Sequence, residues 1–174
     1  MNIEELLGRY AAGERDFSGV KMDSPRLRDA ELPGINLSGA ILFGAKLNRA
    51  NLSGANLSYA NLGSAWLEEA NLTGANLSHA VVSDGVLAEA DLSDTDLSYA
   101  DLTACPLIGA NLSRANLTGT LIGNEPLLKG ANLTDVDLSQ SKIDLPGGIE
   151  NPRIEGAIFC NTTLPDGTKI INFF

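Results

Sequence analysis

From Phe17 to about Leu127 every fifth residue is Leu, Met, Val, Ile or Phe, and the residue two places earlier is usually Ala. Ala50-Asn51-Leu52-Ser53-Gly54 is followed at once by Ala55-Asn56-Leu57-Ser58-Tyr59. Such a period matches neither the 3.6-residue turn of a helix nor the two-residue alternation of a strand. The backbone must turn a corner in each repeat and stack repeat on repeat, so the expected class is an all-β solenoid.

Each position then has a physical reason. The central Leu and the preceding Ala point inward as a large and a small residue and fill a narrow bore layer by layer, each buried Leu contributing about 1.5–3 kcal/mol. Asn or Asp can bridge turns, and Ser or Thr with Gly allows the corner. The residue just before each centre separates two coil sizes. At intervals of twenty it reads Asp16, Asn36, Asn56, Asn76, Asp96, Asn116 in one column and Glu31, Asn51, Asn71, Asp91, Asn111 in another. The remaining columns read Lys21, Ile41, Asn61, Val81, Asp101, Leu121 and Arg26, Lys46, Trp66, Val86, Pro106. A coil of three repeats would scatter the exceptions over every side, whereas a coil of four collects them on two adjacent sides. Four repeats per coil is therefore predicted.

The ends depart from the repeat. Residues 2 to 12 read as a helix with Asn2 as N-cap, Glu5 as capping-box partner, Gly13 just past the end and an apolar stripe of Ile3, Leu6, Leu7 and Tyr10. Open backbone edges at the end of a solenoid template aggregation, and this helix is the candidate cap. The register slips by one residue near Gly123 to Leu128, where Glu125 and Pro126 interrupt the pattern, and resumes at Leu133, Leu138 and Ile143. Pro146-Gly147-Gly148 and Asn151-Pro152 break the array, with Ile154, Phe159 and Leu164 as a last coil in a third phase. The apolar terminus Ile170-Ile171-Asn172-Phe173-Phe174 is a second cap, the favoured reading, or a dimer contact. The expected division is a capping helix over 1–14, the repeat solenoid over 15–144 and an irregular C-terminal coil and cap over 145–174.

Charge and chemistry exclude several classes. The net charge of −10 is concentrated in residues 50 to 113, which carry eight acids and no Lys or Arg, against seven of each sign in the first 49 residues. Direct nucleic-acid binding is not expected of such a middle. Apolar stretches fall far short of a membrane span, and no leader is recognised, so no membrane insertion is expected. Cys105 and Cys160 form no disulfide framework and no metal-ligand spacing, which points to a reducing, cytoplasmic compartment. His79, the lone histidine, has no Cys or His beside it; no metal, cofactor or catalytic motif is found, and no enzyme is expected.

With the Ala-Asn-Leu-Ser-Gly type of repeat in view, the chain resembles the pentapeptide-repeat family over roughly residues 15 to 143. The start Ile3-Glu4-Glu5-Leu6-Leu7 with Gly13-Glu14-Arg15-Asp16-Phe17 looks like members common in cyanobacteria. The resemblance implies a right-handed quadrilateral β-helix with a short N-terminal α-helical cap. It implies little about activity: many members have no assigned role, and one branch, the quinolone-resistance type, binds DNA gyrase by resembling DNA in shape and charge.

The candidate functional residues lie on the two irregular sides. Ile41, Phe43, Val81 and Leu121 belong to one, and Trp66, Val86, Pro106 and Ile108 to the next, all at outward positions. Arg49, with Arg26, Arg28 and Lys46, makes the Trp66 side basic toward the N-terminal end. Exposed apolar residues of this kind mark a partner surface, and the leading expectation is an interaction scaffold for an unknown protein partner. The alternatives are a DNA-mimicking modulator of DNA gyrase and a structural solenoid with no specific ligand. Tyr59, His79 and Tyr99 share one corner position on successive coils and are expected to stack as a column covering that corner. A monomer is favoured.

Overall fold

A computed structural model describes residues 1–123, 127–143, 145 and 151–173. The chain opens with helix α1 (Ile3–Ala11), whose N-cap Asn2 accepts a hydrogen bond from the Glu5 N–H at 2.8 Å. The capping box is half used, because the Glu5 carboxylate lies 3.5 Å from Arg9 instead of turning back. Leu6 is fully buried in the core, with Ile3 and Tyr10 packed partly against it. Leu7, predicted on the same stripe, is exposed, so the covering face is narrower than the sequence pattern. Tyr10 fixes the helix over the first coil by donating from Oη to the Pro33 carbonyl at 2.7 Å.

Parallel backbone bridges join residues twenty apart: Asp16 to Asn36, Asn36 to Asn56, Lys21 to Ile41, Arg26 to Lys46, Glu31 to Asn51, and onward in each column. The chain is a β-helix solenoid whose coil is four repeats long. Within most repeats the N–H three residues past the centre closes a turn, as Ala55 does to the Leu52 carbonyl at 3.0 Å; Pro25, three past Met22, has no N–H to do so. The residue before that N–H adopts positive φ, as at Gly54 with φ 63°, the geometry of a type II turn. The centres are buried in one continuous core from Leu6 to Leu164, as are the Ala positions from Ile35 to Thr120, whereas Val20 and Ala30 of the first coil are only partly buried.

The Asn and Asp before each centre serve the turn itself. Ser38 N–H donates to Asn36 Oδ1, Thr73 N–H to Asn71 Oδ1 and Ser98 N–H to Asp96 Oδ1, at 3.0 to 3.1 Å. Where Thr takes the inward Ala place, its hydroxyl is satisfied by the coil below: Thr95 Oγ1 donates to Leu72 O, Thr120 to Leu97 O and Thr162 to Leu133 O, at 2.7 to 3.0 Å. Each bond ends on the carbonyl of a central leucine, so the hydrogen bond offsets the cost of taking the hydroxyl out of water into the bore.

The register slip is visible in the ladder. Leu102 N–H donates to Leu121 O, nineteen residues on, whereas Leu107 N–H donates to Leu127 O, twenty on. The extra residue therefore falls between Leu121 and Leu127, and Glu125 and Pro126 lie outside the described residues. Its effect is to turn Leu127 outward and Leu128 inward, although a strict period of five continued from Ile122 points Leu127 inward. Short strands β1 (Leu121–Gly123) and β2 (Lys142–Ile143) pair in parallel in the new phase.

Ile154, Phe159 and Leu164 are buried in a last coil of the third phase, with Leu133 N–H donating to Ile158 O at 2.9 Å. Pro146-Gly147-Gly148 lies outside the described residues. Strand β3 (Phe159–Thr163) continues the coil, and β4 (Lys169–Phe173) folds back on it antiparallel, Thr162 opposite Ile170. β4 thus covers an otherwise open backbone edge; Phe174 lies outside the described residues.

Candidate functional site

The outward columns share one backbone ladder, broken on the Trp66 side at Pro106, and otherwise differ in what their side chains do. On the Asn71 side the amides link coil to coil: Asn51 Nδ2 donates to Glu31 at 2.7 Å, Asn111 to Asp91 at 3.1 Å and Asn132 to Asn111 at 3.1 Å. Arg114 closes the adjoining corner with a bidentate pair to Asp94, 2.7 Å at both contacts. That pairing holds the Asp94 carboxyl below its ordinary value and raises Arg114.

The Trp66 side follows another logic. Lys46, Trp66 and Val86 are joined by backbone bridges without any Asn or Asp in the column. Val86 and Pro106 are half-buried and Trp66 is 48% exposed. No bridge joins Val86 to Pro106, because Pro has no N–H to give the ladder; the coil is carried there by Leu87 N–H donating to Pro106 O at 3.0 Å. Leu127, exposed through the register slip, extends the column beyond Pro106, with Ile108 exposed beside it. The apolar run is therefore continuous from Trp66 through Val86 and Pro106 to Leu127. Leu127 was hidden from the sequence reading because the slip had to be placed to within one residue.

The Ile41 side is apolar in a different way. Ile41, Val81 and Leu121 are exposed but alternate along their column with Asn61 and Asp101, each of which keeps its turn hydrogen bond to Gly63 or Thr103. Its apolar residues are two coils apart, on the order of 10 Å at ordinary strand spacing. Phe43, 51% exposed, belongs to this side near the corner that leads to Lys46. A Cβ at Gly63 would meet the Phe43 ring at 3.1 Å, so the ring lies over the next coil in tight contact with Gly63, and a larger residue there would push it aside.

Arg49 is engaged: its Nε and Nη2 donate to Asp29 at 2.7 and 2.9 Å, leaving the other N–H groups of the fork for a further acceptor. Lys46 Nζ lies 5.1 Å from the centroid of the Trp66 ring, within cation–π range. Arg26, Arg28, Lys46, Asn48 and Trp66 line one concavity of about 300 Å³.

Tyr59, His79 and Tyr99 form the expected column, with ring centroids 4.7 and 5.1 Å apart and planes within 3° and 11° of parallel. All three hold φ of 59°, at a corner where Gly19, Gly39 and Gly119 stand in other coils. A left-handed backbone costs a non-glycine residue about 1–2 kcal/mol, and stacking of about 0.5–1.5 kcal/mol per contact offsets part of that. The Tyr99 ring ends the column over Gly119, where a Cβ would come within 2.5 Å of it.

Among the described residues no cluster of three or more His, Cys, Asp or Glu could hold a metal ion. Burial pushes the Cys105 thiol up to about 12, so it sits in the bore as a protonated small hydrophobe. No helix among the described residues is long and apolar enough to cross a membrane.

Pentapeptide repeats match in eight copies over residues 26–58, 55–93 and 86–122, a span of more than half of the 174 residues. Among solved structures, the pentapeptide repeat protein Rfr23 from the cyanobacterium Cyanothece 51142 is 30% identical at a TM-score of 0.52, over 74% of this chain and 93% of that one. QnrB1, a plasmid-mediated fluoroquinolone resistance protein, is 17% identical at a TM-score of 0.56, over 82% of this chain and 83% of that one, a likeness of fold alone. No curated protein matches the chain in sequence.

Proposed function

The chain belongs to the pentapeptide-repeat family, and from that premise we propose a non-enzymatic interaction scaffold that docks a protein partner on its Trp66 side, with Phe43 and Arg49 at the margin. The observation that carries this reading is the unbroken column Trp66, Val86, Pro106, Leu127. The fold does not require those residues there, since the regular sides close the same coil with Asn, Asp or Glu at that position. A continuous apolar strip beside an exposed Trp is the composition of an interface centre. On the Ile41 side Phe43 contributes directly, while Ile41, Val81 and Leu121 form separate contacts. The Tyr59–His79–Tyr99 column is a covering for its corner.

The finer architecture follows the family: a right-handed quadrilateral β-helix over 15–144, a capping helix over 1–14 and an irregular coil and cap over 145–174. A monomer in the cytoplasm fits the free thiols Cys105 and Cys160 and the fold-back of β4 on β3. The rival reading, a DNA-mimicking modulator of DNA gyrase, draws on the net charge of −10. Against it, Asp91, Asp94, Asp96 and Asp101 are committed to turn hydrogen bonds or to Arg114, and they occupy different sides. Phosphate-like tracks need free acids in rows.

Affinity capture from the native lysate, comparing the wild type with Trp66→Ala combined with Phe43→Ser, tests the reading. A partner retained by the first and lost by the second supports it. A partner retained equally by both, or one whose binding depends on Asp91, Asp94, Asp96 and Asp101 and brings gyrase inhibition, replaces it.

A further inference from the structure

Resting on the reading that the Trp66 side docks a protein, we infer that what it takes is an extended peptide segment, acidic at one end and apolar at the other. Arg26, Arg28 and Lys46 share the concavity of about 300 Å³ with Trp66. Among the described residues no ion pair engages any of the three cations. Of the nearby acids, Asp29 is held by Arg49, Glu68 accepts from Asn48 and Asp23 accepts from Ser24, while Glu4 shares a separate concavity with Arg26 and forms no ion pair with it. In a chain of net charge −10, three uncommitted cations gathered at one end of one side form an island of opposite sign. A carboxylate is the group such an island attracts.

Lys46 Nζ over the Trp66 ring presents charge and aromatic surface together. A segment whose carboxylates meet Arg28 and Lys46 lays its next residues on the indole and then on Val86 and Pro106. From Arg26 to Pro106 is four coil steps, on the order of 19 Å at ~4.8 Å each, which about six residues of extended chain span at ~3.3 Å per residue. A nucleic acid fits less well. Its charges continue at every step, and from the coil of Trp66 onward it would run against Glu68, Glu69 and Glu89 on the same side, whereas an acidic peptide end seated at Arg26 and Arg28 lies on the coils before them.

Selection of random hexapeptides on the full-length protein and on an Arg28→Glu/Lys46→Glu variant tests the inference, with folding of each followed by thermal melting. Enriched sequences are expected to cluster Asp and Glu at one end and large apolar residues at the other. A synthetic peptide of the enriched sequence should change the fluorescence of Trp66, the single Trp of the chain. Its Kd should rise about tenfold or more in the charge-reversal variant, and for the wild type it should also rise with added salt. Arg28→Gln/Lys46→Gln replaces the reversal should that variant not fold, with a smaller rise expected.

No enrichment, enrichment of basic or uncharged sequences, acidic peptides that bind both proteins alike, or tighter binding of a short DNA duplex would each overturn it. Uncharged apolar peptides lost on Trp66→Asn but indifferent to the charge reversal would remove the acidic chemistry and leave the docking surface. Peptides indifferent to both changes would remove the surface as well.

Discussion

The Asn71 and Trp66 sides are the same backbone with opposite surfaces. Both stack their coils through parallel bridges twenty residues apart, and both cover the same leucine bore. On the Asn71 side Asn71 and Asp91 accept from their own turns, and Asn51, Asn111 and Asn132 donate to the coil below, so these polar groups are used within the solenoid. On the Trp66 side that position holds Lys46, Trp66, Val86 and Pro106, which contribute nothing to the turn. The lesson is that the coil needs the inward Leu and Ala and the left-handed corner, but not the Asn. A position free of structural duty can be given to a partner.

The largest effect tests whether the two sides share one interior. Leu67→Ala beneath the Trp66 side and Leu72→Ala beneath the Asn71 side should each cost about 2–5 kcal/mol by opening a cavity in the bore. Leu77→Ala should behave alike, while Ser78→Ala at the outward position beside it stays within about 0.5 kcal/mol. Chemical denaturation reads all of these. A much smaller loss for Leu67 than for Leu72 would mean that the irregular side is loosely packed, and its apolar surface would then be a packing defect.

A smaller effect separates the outward positions. Asn71→Ala deletes the acceptor for the Thr73 N–H, bonded at 3.0 Å, and should cost about 0.5–1.5 kcal/mol. Val86→Asn installs that acceptor on the irregular side and should leave the melting temperature unchanged or slightly raised. Destabilisation by Val86→Asn comparable to a core truncation would show that the apolar column supports the fold.

Much of this was legible in the sequence, and the exceptions have physical causes. The four-repeat coil could be read because the exceptions to Asn and Asp collect in two columns at a spacing of twenty. The N-cap was equally local, Asn2 three residues before Glu5. Leu127 was not legible, because one inserted residue exchanges inward and outward and its place depends on a loop conformation that the period does not encode. The antiparallel return of β4 was hidden for a related reason: its apolar residues suit a cap or an interface alike, and strand direction is decided by the turn at Pro165 to Thr168. The seat of the Phe43 ring over Gly63 needed a contact between coils. In the candidate surface, the alternation of Ile41, Val81 and Leu121 with Asn61 and Asp101 was present in the columns, but continuity emerges only when Leu127 joins Trp66, Val86 and Pro106.

The smallest effect is electrostatic. Hydrogen bonding from Ser18 holds the Asp16 carboxyl below its ordinary value of 3.8, and Arg114 does the same for Asp94. A depressed folded value means that the stabilisation is complete above the ordinary value and is lost as pH falls through it toward the folded one. Melting temperature should therefore be flat near neutrality and decline below about pH 4, less steeply in Asp94→Asn. An unchanged acid limb in that variant would remove the pair from the account. The Trp66 side, with no Asp in its central column, should contribute little to this limb.

The central claim is that the Trp66 side departs from the repeat for a partner and not for the fold. Trp66→Asn tests it most directly, since it places on that side the residue the regular sides carry. Affinity for the captured partner, measured by calorimetry beside a melting curve, should fall by about tenfold or more while the melting temperature stays within a few degrees of the wild type. Unchanged affinity with a melting temperature lowered as far as by Leu67→Ala would contradict it.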